Sequence, residues 1–271
     1  MKTIYKTIRL LLGLMNLNLT TKTGYSRLLS KHKDNISKAL FYYKFYLNHN
    51  LQMLNDNEFL QYLELKYGGY VSDVVPTIDK STVSKLVGRN HVGGDRMNIF
   101  YHDYSNKYSV YLEPLRKNNH RVLFLEIGIL NGTGLAIWDE YIQNLELYGF
   151  DYDIGNFEKN KNNLIDLGAF KEGLPIVKFY DQFTNNSKFL LEVFGEKKIT
   201  VVVDDANHSD KAVINSFNEL QPFLANDFVY FIEDNCNAWR KLKSIYPNYK
   251  FDFDGISLTV VTGNLVIGNT V

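Results

Sequence analysis

Cysteine is nearly absent from this chain, since Cys236 is the single one among 271 residues. One thiol excludes an internal disulfide and any zinc site built from several cysteines. A protein without disulfides fits a reducing compartment, so we expect it to be cytoplasmic. Thirty basic residues balance thirty acidic residues. This neutrality argues against the broad basic surface of a nucleic-acid-binding protein.

The N-terminal part lacks an apolar run long enough to cross a bilayer. The run LLLGLM at 10–15 follows three basic residues but is far shorter than the roughly 20 residues that a membrane span needs. Two interpretations of residues 1–20 stay open. They form an amphipathic helix packed on the protein or on a partner, or a helix that contacts a membrane surface.

The chain is predicted to divide into a helical N-terminal region, residues 1–92, and a main domain, residues 93–271. Apolar residues recur at helical spacing over 36–54 and 57–70. A polar stretch after Pro76 is expected to link the two parts.

From about residue 120, strand patterns and helix patterns alternate. The predicted strands are 122–128, 146–151, 175–180, 199–204 and 227–233, and the predicted helices are 133–144, 155–167, 184–195 and 210–224. This alternation predicts an α/β fold with a doubly wound parallel sheet. After residue 250, short strand patterns separated by glycine-containing turns predict an antiparallel hairpin that closes the sheet.

The first predicted strand runs into a glycine-rich turn, LEIGILNGTG at 125–134, which also contains Asn131. Gly128, Gly132 and Gly134 allow the backbone to approach a ligand closely. Their spacing differs from the G-x-G-x-x-G of dinucleotide-binding proteins, and no Lys-Ser/Thr pair follows, which excludes a nucleotide-triphosphate P-loop. Glu126 lies two positions before the first glycine. An acidic residue there suits the sulfonium and ammonium groups of S-adenosylmethionine.

The next two strands also end in polar residues. Asp151 ends the second predicted strand, where a carboxylate can accept hydrogen bonds from both ribose hydroxyls of a nucleoside. Asp181 and Gln182 follow the third strand, where contacts to an adenine would lie. These features, in this order along the chain, indicate a binding site for S-adenosylmethionine.

Two further strands end in paired carboxylates. Asp204 and Asp205 end the strand at 199–204, with His208 three residues later, and Glu233 and Asp234 end the strand at 227–233. Carboxylates from two neighbouring strands at one edge suggest a divalent cation. Simpler roles stay open, since Asp205 can cap the helix that begins near residue 210, and Glu233-Asp234 can simply begin a loop.

Over roughly residues 93–236 the chain resembles the metal-dependent sugar O-methyltransferases of the mycinamicin and macrocin type, which group with cephalosporin-hydroxylase-like and rhamnosyl O-methyltransferase sequences. The resemblance rests on six segments: GGDRMNIFYHDYSNKYSVYLEPLR (93–116), LEIGILNGTG (125–134), YGFDYD (148–153), DQF (181–183), DDANH (204–208) and IEDN (232–235). It implies the Rossmann-like sheet of class I methyltransferases and transfer of a methyl group to a sugar hydroxyl.

The resemblance also assigns roles to single residues. It implies that Asp205, Glu233 and Asp234 bind Mg²⁺ and that His208 is the general base. On the cofactor side, the implied contacts are Glu126, Gly128, Asn131, Gly132, Asp151, Asp181 and Gln182, together with His102 and Tyr104 of the upstream segment. The acceptor would be a sugar or glycan hydroxyl, and a homo-oligomer would be in keeping with the family.

The chain departs from the family pattern in one functional segment. Ala206 and Asn207 replace the Gly and Ser of D-D-G-S-H, and Ala costs about 1 kcal/mol if that turn requires a positive φ. Two other function classes also stay open. They are another metal-dependent enzyme on the same scaffold, such as an oxygenase or hydrolase, and a non-catalytic cofactor-binding or assembly subunit.

Overall fold

The computed structural model describes residues 54–68, 95–97, 102–116 and 119–264. The predictions for residues 1–20, for the helix before residue 54, for the linker after Pro76 and for residues 265–271 of the last strand pattern lie outside these ranges.

The described residues form seven α-helices, one short 3-10 helix and seven strands. In chain order the helices are α1 (Asp56–Gly68), α2 (Ser105–Arg116), α3 (Thr133–Tyr141), α4 (Gly155–Asp166), α5 (Ser187–Phe194), α6 (Asp210–Leu220) and α7 (Ala238–Ile245). The strands are β1 (Val122–Ile127), β2 (Leu145–Asp151), β3 (Ile176–Phe179), β4 (Ile199–Asp204), β5 (Leu224–Ile232), β6 (Lys250–Phe253) and β7 (Thr259–Thr262).

The strands form one sheet in the order β3-β2-β1-β4-β5-β7-β6. Strands β1 to β5 run parallel, whereas β7 pairs antiparallel with both β5 and β6. This arrangement confirms the fold class predicted from the sequence, a mostly parallel Rossmann-like sheet with antiparallel strands at its C-terminal end. The chain order reverses at β1, next to β4, and ligands of such sheets bind at the carboxyl ends of the strands near that point.

The central strands are buried on both faces, as their continuous apolar sequences require. All six residues of β1 are buried, and so are five of the six in β4. Each face of the sheet packs on its own hydrophobic cluster, one with Phe124 and Trp138 and the other with Phe150 and Phe217. Two rigid layers therefore fix the strand ends that carry the candidate site.

Helix α1 belongs to the same core as the main domain. Its apolar residues Leu60, Leu63 and Tyr67 are fully buried in the cluster that contains Trp138 of α3. The described part of the N-terminal region is thus packed on the body of the protein. Among the described ranges, none of the helices combines the length and the hydropathy needed to cross a bilayer.

Candidate active site

The carboxyl ends of β1, β4 and β5 bring three carboxylates together at one edge of the sheet. Ile127 lies opposite Asp204, and Asp204 lies opposite Ile232 in the strand register. Asp205 and Glu233, which follow those strands directly, therefore lie side by side, with Glu126 of β1 next to them. Parallel pairing in this register is what gathers groups that are 107 positions apart in the sequence.

Arg96 contacts all three carboxylates. Its Nε donates to Glu233 Oε2 at 3.0 Å, its Nη1 to Glu126 Oε1 at 2.8 Å and its Nη2 to Asp205 Oδ2 at 2.6 Å. The guanidinium also lies over the ring of Trp138, 5.6 Å from its centroid. Burial alone would lower the pKa of Arg96, but the three carboxylates raise it well above its ordinary value. Arg96 is therefore a permanent cation in the middle of this cluster.

Both carboxylate oxygens of Glu233 accept hydrogen bonds from other residues of the protein. Its Oε1 accepts a hydrogen bond from the hydroxyl of Tyr108 on α2, and its Oε2 accepts from Arg96. Its side chain is only 3% exposed. Burial raises the pKa of Glu233, and Arg96 and the Tyr108 hydroxyl oppose that shift. Of the acids predicted to bind a metal, Glu233 therefore lies deepest in the protein.

Asp234 lies on the outer side of Glu233, against the segment that leads into α2. Its Oδ1 accepts from the hydroxyl of Tyr104 at 2.7 Å, and Nδ1 of His102 lies 3.5 Å from the same oxygen. The rings of His102 and Tyr104 stack, with their centroids 5.1 Å apart. Asp234 itself has a φ of 51°, in the left-handed region, where Asp is tolerated better than most residues. The contacts of His102 and Tyr104 are therefore made to Asp234 and not to the glycine-rich turn.

Asp205, His208 and Asp234 form the group of ligands that could hold a metal ion. Each of these half-buried residues offers one ligand atom, and these atoms lie within 4.8 Å of one another. Two carboxylates and one imidazole are a donor set that divalent cations accept. The structure therefore brings two of the three predicted metal ligands together with the predicted base. The third, Glu233, contacts Arg96 and Tyr108 instead.

The loop 205–208 crosses directly over Gly128. A Cβ on Gly128 would lie 2.3 Å from the backbone oxygen of Asp205 and 2.6 Å from Cα of Ala206, and the φ of Gly128 is +86°. Glycine is therefore needed there to let the loop pass, whatever ligand the turn also binds. Ala206 is not among the positive-φ residues, so the replacement of the family glycine costs no backbone strain.

The other two glycines of the turn are needed for packing. A Cβ on Gly132, whose φ is +82°, would lie 2.4 Å from the ring of Phe157. A Cβ on Gly134 would lie 2.2 Å from Glu126 Oε1. The second carboxylate oxygen of Glu126 is buried and has no hydrogen bond of ordinary geometry within the part of the chain that the structure describes, although the Trp138 side chain lies close enough to lower the pKa of Glu126. Burial raises the pKa of Glu126 against the opposing effect of Arg96.

Asp151 supports the first turn from the end of β2. Its Oδ2 accepts from the backbone N–H of Leu130 at 2.9 Å, and its Oδ1 accepts from that of Asp153 at 2.8 Å. Leu130 has a φ of 45°, which is unusual for a bulky residue, so this hydrogen bond holds a strained turn. Asn131 of the same turn is buried, and its backbone oxygen accepts from Asn160 of α4.

The two residues that follow β3 differ in their surroundings. Asp181 is half-buried, and its Oδ1 accepts from the N–H of Phe183 within its own turn. Gln182 is only 5% exposed, and its side chain points to Asp204 and Ser216 inside the protein. Burial raises the pKa of Asp204 to about 7, although Tyr230 and Gln182 donate to its carboxylate.

Two residues of this site had no predicted role. Arg96 and Tyr108 both lie in the segment 93–116 that carries the family resemblance, yet nothing in the local sequence distinguishes them from other basic and aromatic residues. The sequence signal that points to a missing basic residue is a charge imbalance. Five carboxylates, Glu126, Asp204, Asp205, Glu233 and Asp234, were expected at one edge with no basic partner.

Neither a protein-family model nor a curated protein sequence matches this chain. Solved structures do resemble it. MycE, a methyltransferase of the mycinamycin biosynthetic pathway in complex with Mg and SAH, is 20% identical, with a TM-score of 0.49 over 67% of this chain and 54% of that one. An O-methyltransferase from Bacillus cereus in complex with SAH is 12% identical, with a TM-score of 0.46 over 73% and 96% of the two chains. TrmN from Thermus thermophilus is 10% identical, with a TM-score of 0.43 over 58% and 48%. The chain thus spans about half the length of the MycE chains.

Proposed function

We propose that this protein is an S-adenosylmethionine-dependent O-methyltransferase that acts on a sugar hydroxyl with the help of a divalent cation such as Mg²⁺. One observation carries the proposal. Arg96 joins Glu126, beside the glycine-rich turn, to Asp205 of the candidate metal group through hydrogen bonds of 2.8 and 2.6 Å. The predicted cofactor side and the predicted metal side therefore belong to one site. The family resemblance of residues 93–236 supports the same assignment.

The residues beside the glycine-rich turn fit the cofactor chemically. Glu126 Oε2 is a buried acceptor without a hydrogen bond of ordinary geometry, and Trp138 is the described side chain that comes closest to supplying one. A cationic ligand can satisfy such a group. Asp151 is held in place by two backbone N–H groups, and each of its oxygens can accept a further hydrogen bond. The cofactor would supply the electrophilic methyl group. The turn and Asp151 would orient it, and orientation matters greatly in a displacement that needs three atoms in line.

The metal group also fits, with one restriction. Asp205 and Asp234 supply the oxygen ligands that Mg²⁺ and Mn²⁺ prefer. Glu233 lies outside this group, because its buried carboxylate faces Arg96 and Tyr108. A bound divalent cation would lower the pKa of an acceptor hydroxyl.

His208 is the residue proposed to accept the proton of the acceptor hydroxyl. Its imidazole is half-buried beside Asp205 and Asp234, so a hydroxyl held between those acids lies within its reach. A ring nitrogen that binds a metal cannot take a proton. His208 therefore acts as base only when the cation is held by the two carboxylates alone. The backbone of His208 is fixed by Asn235, whose Nδ2 donates to the His208 oxygen at 2.9 Å.

The test is the formation of S-adenosylhomocysteine from S-adenosylmethionine with a panel of sugar nucleotides and glycosides. We expect turnover that EDTA abolishes and that Mg²⁺ or Mn²⁺ restores. His208→Ala should reduce turnover by about 100-fold or more while leaving cofactor binding unchanged. His120→Ala, an exposed imidazole before β1, is the matched control and should keep full activity.

This assay, combined with calorimetric titration of S-adenosylhomocysteine, separates the competing functions. Full turnover by His208→Ala would show that the base is another group. Cofactor binding without turnover on any acceptor would favour a non-catalytic subunit. Absence of cofactor binding would favour another metal-dependent enzyme on this scaffold.

A further inference from the structure

The side-chain amide of Gln182 forms all of its hydrogen bonds with other residues of the protein. Its Nε2 donates to Asp204 Oδ1 and to Ser216 Oγ, both at 2.9 Å, and its Oε1 accepts from the backbone N–H of Asn207 at 2.8 Å. The orientation of the amide is unambiguous, because a backbone N–H can only donate. With both N–H groups and the oxygen engaged, and only 5% of the residue exposed, Gln182 has little left for a ligand.

Asp204, which accepts from Gln182, is also held by several hydrogen bonds. Asp204 is 1% exposed, and its Oδ2 accepts from the hydroxyl of Tyr230 at 3.1 Å. Its backbone oxygen accepts from the N–H of Glu233 at 3.0 Å. Asp204 is therefore anchored to β5 on one side and to Gln182 on the other.

In addition to the Arg96 contact to the Asp205 side chain, the backbone of the loop 205–208 is held at three points, one from each of three strand ends. The N–H of Asp205 donates to Ile127 of β1 at 2.8 Å, and the oxygen of His208 accepts from Asn235 after β5 at 2.9 Å. Between these two points, the middle of the loop is fixed by the hydrogen bond from Asn207 to Gln182. Loss of that bond would free the segment between Asp205 and His208.

We propose that the buried Gln182–Asp204 pair positions the loop that carries Asp205 and His208, and that Gln182 does not contact the adenine. The inference deepens the proposed function and rests on it for the roles of those two residues. Buried polar partners of this kind fix the orientation of functional groups, and their loss typically weakens metal binding 10- to 100-fold. Gln182 is thus a positioning residue, since it acts through the loop.

The first test compares Gln182→Ala with the control Gln221→Ala, which removes a glutamine bonded to the Tyr249 hydroxyl far from the site. For Gln182→Ala we expect the Asn207 amide to exchange its hydrogen about tenfold faster or more in NMR spectra. We also expect Mn²⁺ affinity to fall about tenfold, while the affinity for S-adenosylhomocysteine stays within about twofold. Turnover should drop in kcat with little change in KM for S-adenosylmethionine.

A donor–acceptor exchange gives a second test that does not depend on the alanine variant folding. Gln182→Glu keeps the acceptor for Asn207 but places a carboxylate against Asp204, so it should loosen the loop. Adding Asp204→Asn restores a donor opposite Glu at 182 and should return Asn207 protection to within about threefold of wild type.

The proposal fails if Gln182→Ala lowers cofactor affinity tenfold or more while Asn207 protection stays unchanged, because that pattern indicates an adenine contact. It also fails if Gln182→Glu speeds Asn207 exchange about tenfold or more and the double variant exchanges equally fast. The exchange measurement needs neither cofactor nor acceptor. If the wild-type protein binds no S-adenosylhomocysteine, the proposed function is wrong. The amide exchange of Asn207 still shows whether Gln182 anchors the loop.

Discussion

Arg96 Nη2 lies 2.6 Å from Asp205 Oδ2, so the acid predicted to bind a metal is already paired with a cation from the protein. The same guanidinium holds Glu126 and Glu233. One positive charge faces three carboxylates, and burial raises the pKa of each of them. The charge of this centre therefore depends on how many of the three acids hold a proton.

Replacement of Arg96 should strongly destabilise the protein. Arg96→Gln leaves three carboxylates without their cation, two of them almost fully buried, and the loss of one partner of a buried ion pair costs about 3–5 kcal/mol. Urea unfolding measures this free energy. Arg121→Gln is the control, because Arg121 is 66% exposed and its pair with Glu146 should contribute less than about 1 kcal/mol. Equal losses for the two variants would contradict the role of Arg96.

Gly128→Ala should be more costly than a substitution of a glycine that has a similar φ elsewhere in the chain. Gly128 and Gly255 have φ values of +86° and +89°, but a Cβ at 255 meets nothing within 4 Å. Both variants should lose about 1 kcal/mol from the left-handed backbone. Gly128→Ala should lose about 1–3 kcal/mol more, because its Cβ collides with the Asp205 backbone. Unfolding free energies within about 0.5 kcal/mol of each other would show that the loop does not pass over Gly128 as described.

Stability should fall as the pH rises from about 4 to about 7, in part because of Asp204. Its pKa is raised by burial from 3.8 to about 7, so the folded state binds the proton more tightly than the unfolded state. A protonated Asp204 is favoured by folding, and each pH unit in this window costs at most about 1.4 kcal/mol. Asp204→Asn has no proton to lose.

The check is urea unfolding in EDTA at several pH values. The wild-type free energy of unfolding should decline more steeply than that of Asp204→Asn between pH 4 and 7, and the two curves should run parallel above pH 7. Glu126 and Asp151 shift in the same direction, so the difference between the variants is the informative quantity. Parallel curves throughout the window would show that Asp204 titrates normally.

The strand ends were predictable from the sequence because each one is a local pattern. Asp151, Asp204 and Asp234 each follow an apolar run, and parallel strands place such ends at one edge. The helix predicted to run to residue 224 was less accurate. It ends at Leu220, because a 3-10 turn that contains Pro222 follows at Gln221–Phe223, and β5 starts at Leu224, three residues earlier than predicted.

The detailed contacts of the site could not be predicted, because they join distant segments. Arg96 comes from a part of the chain 30 residues before Glu126, and no periodicity relates the two. Gln182 looked like a ligand contact because it follows a strand end, but its burial depends on the position of α6, which supplies Ser216. Sequence patterns indicate which edge of the sheet a side chain lies at, and packing decides whether that side chain faces a ligand or the core.

Cofactor binding tests the central claim of this account most directly. S-adenosylhomocysteine titrated into the wild-type protein in a calorimeter should give saturable binding at one site. Asp151→Ala should weaken that binding about tenfold or more, because the carboxylate proposed to accept from the ribose hydroxyls is lost. Wild-type protein that releases no heat and shows no binding, with Mg²⁺ present or absent, would contradict the assignment as a methyltransferase.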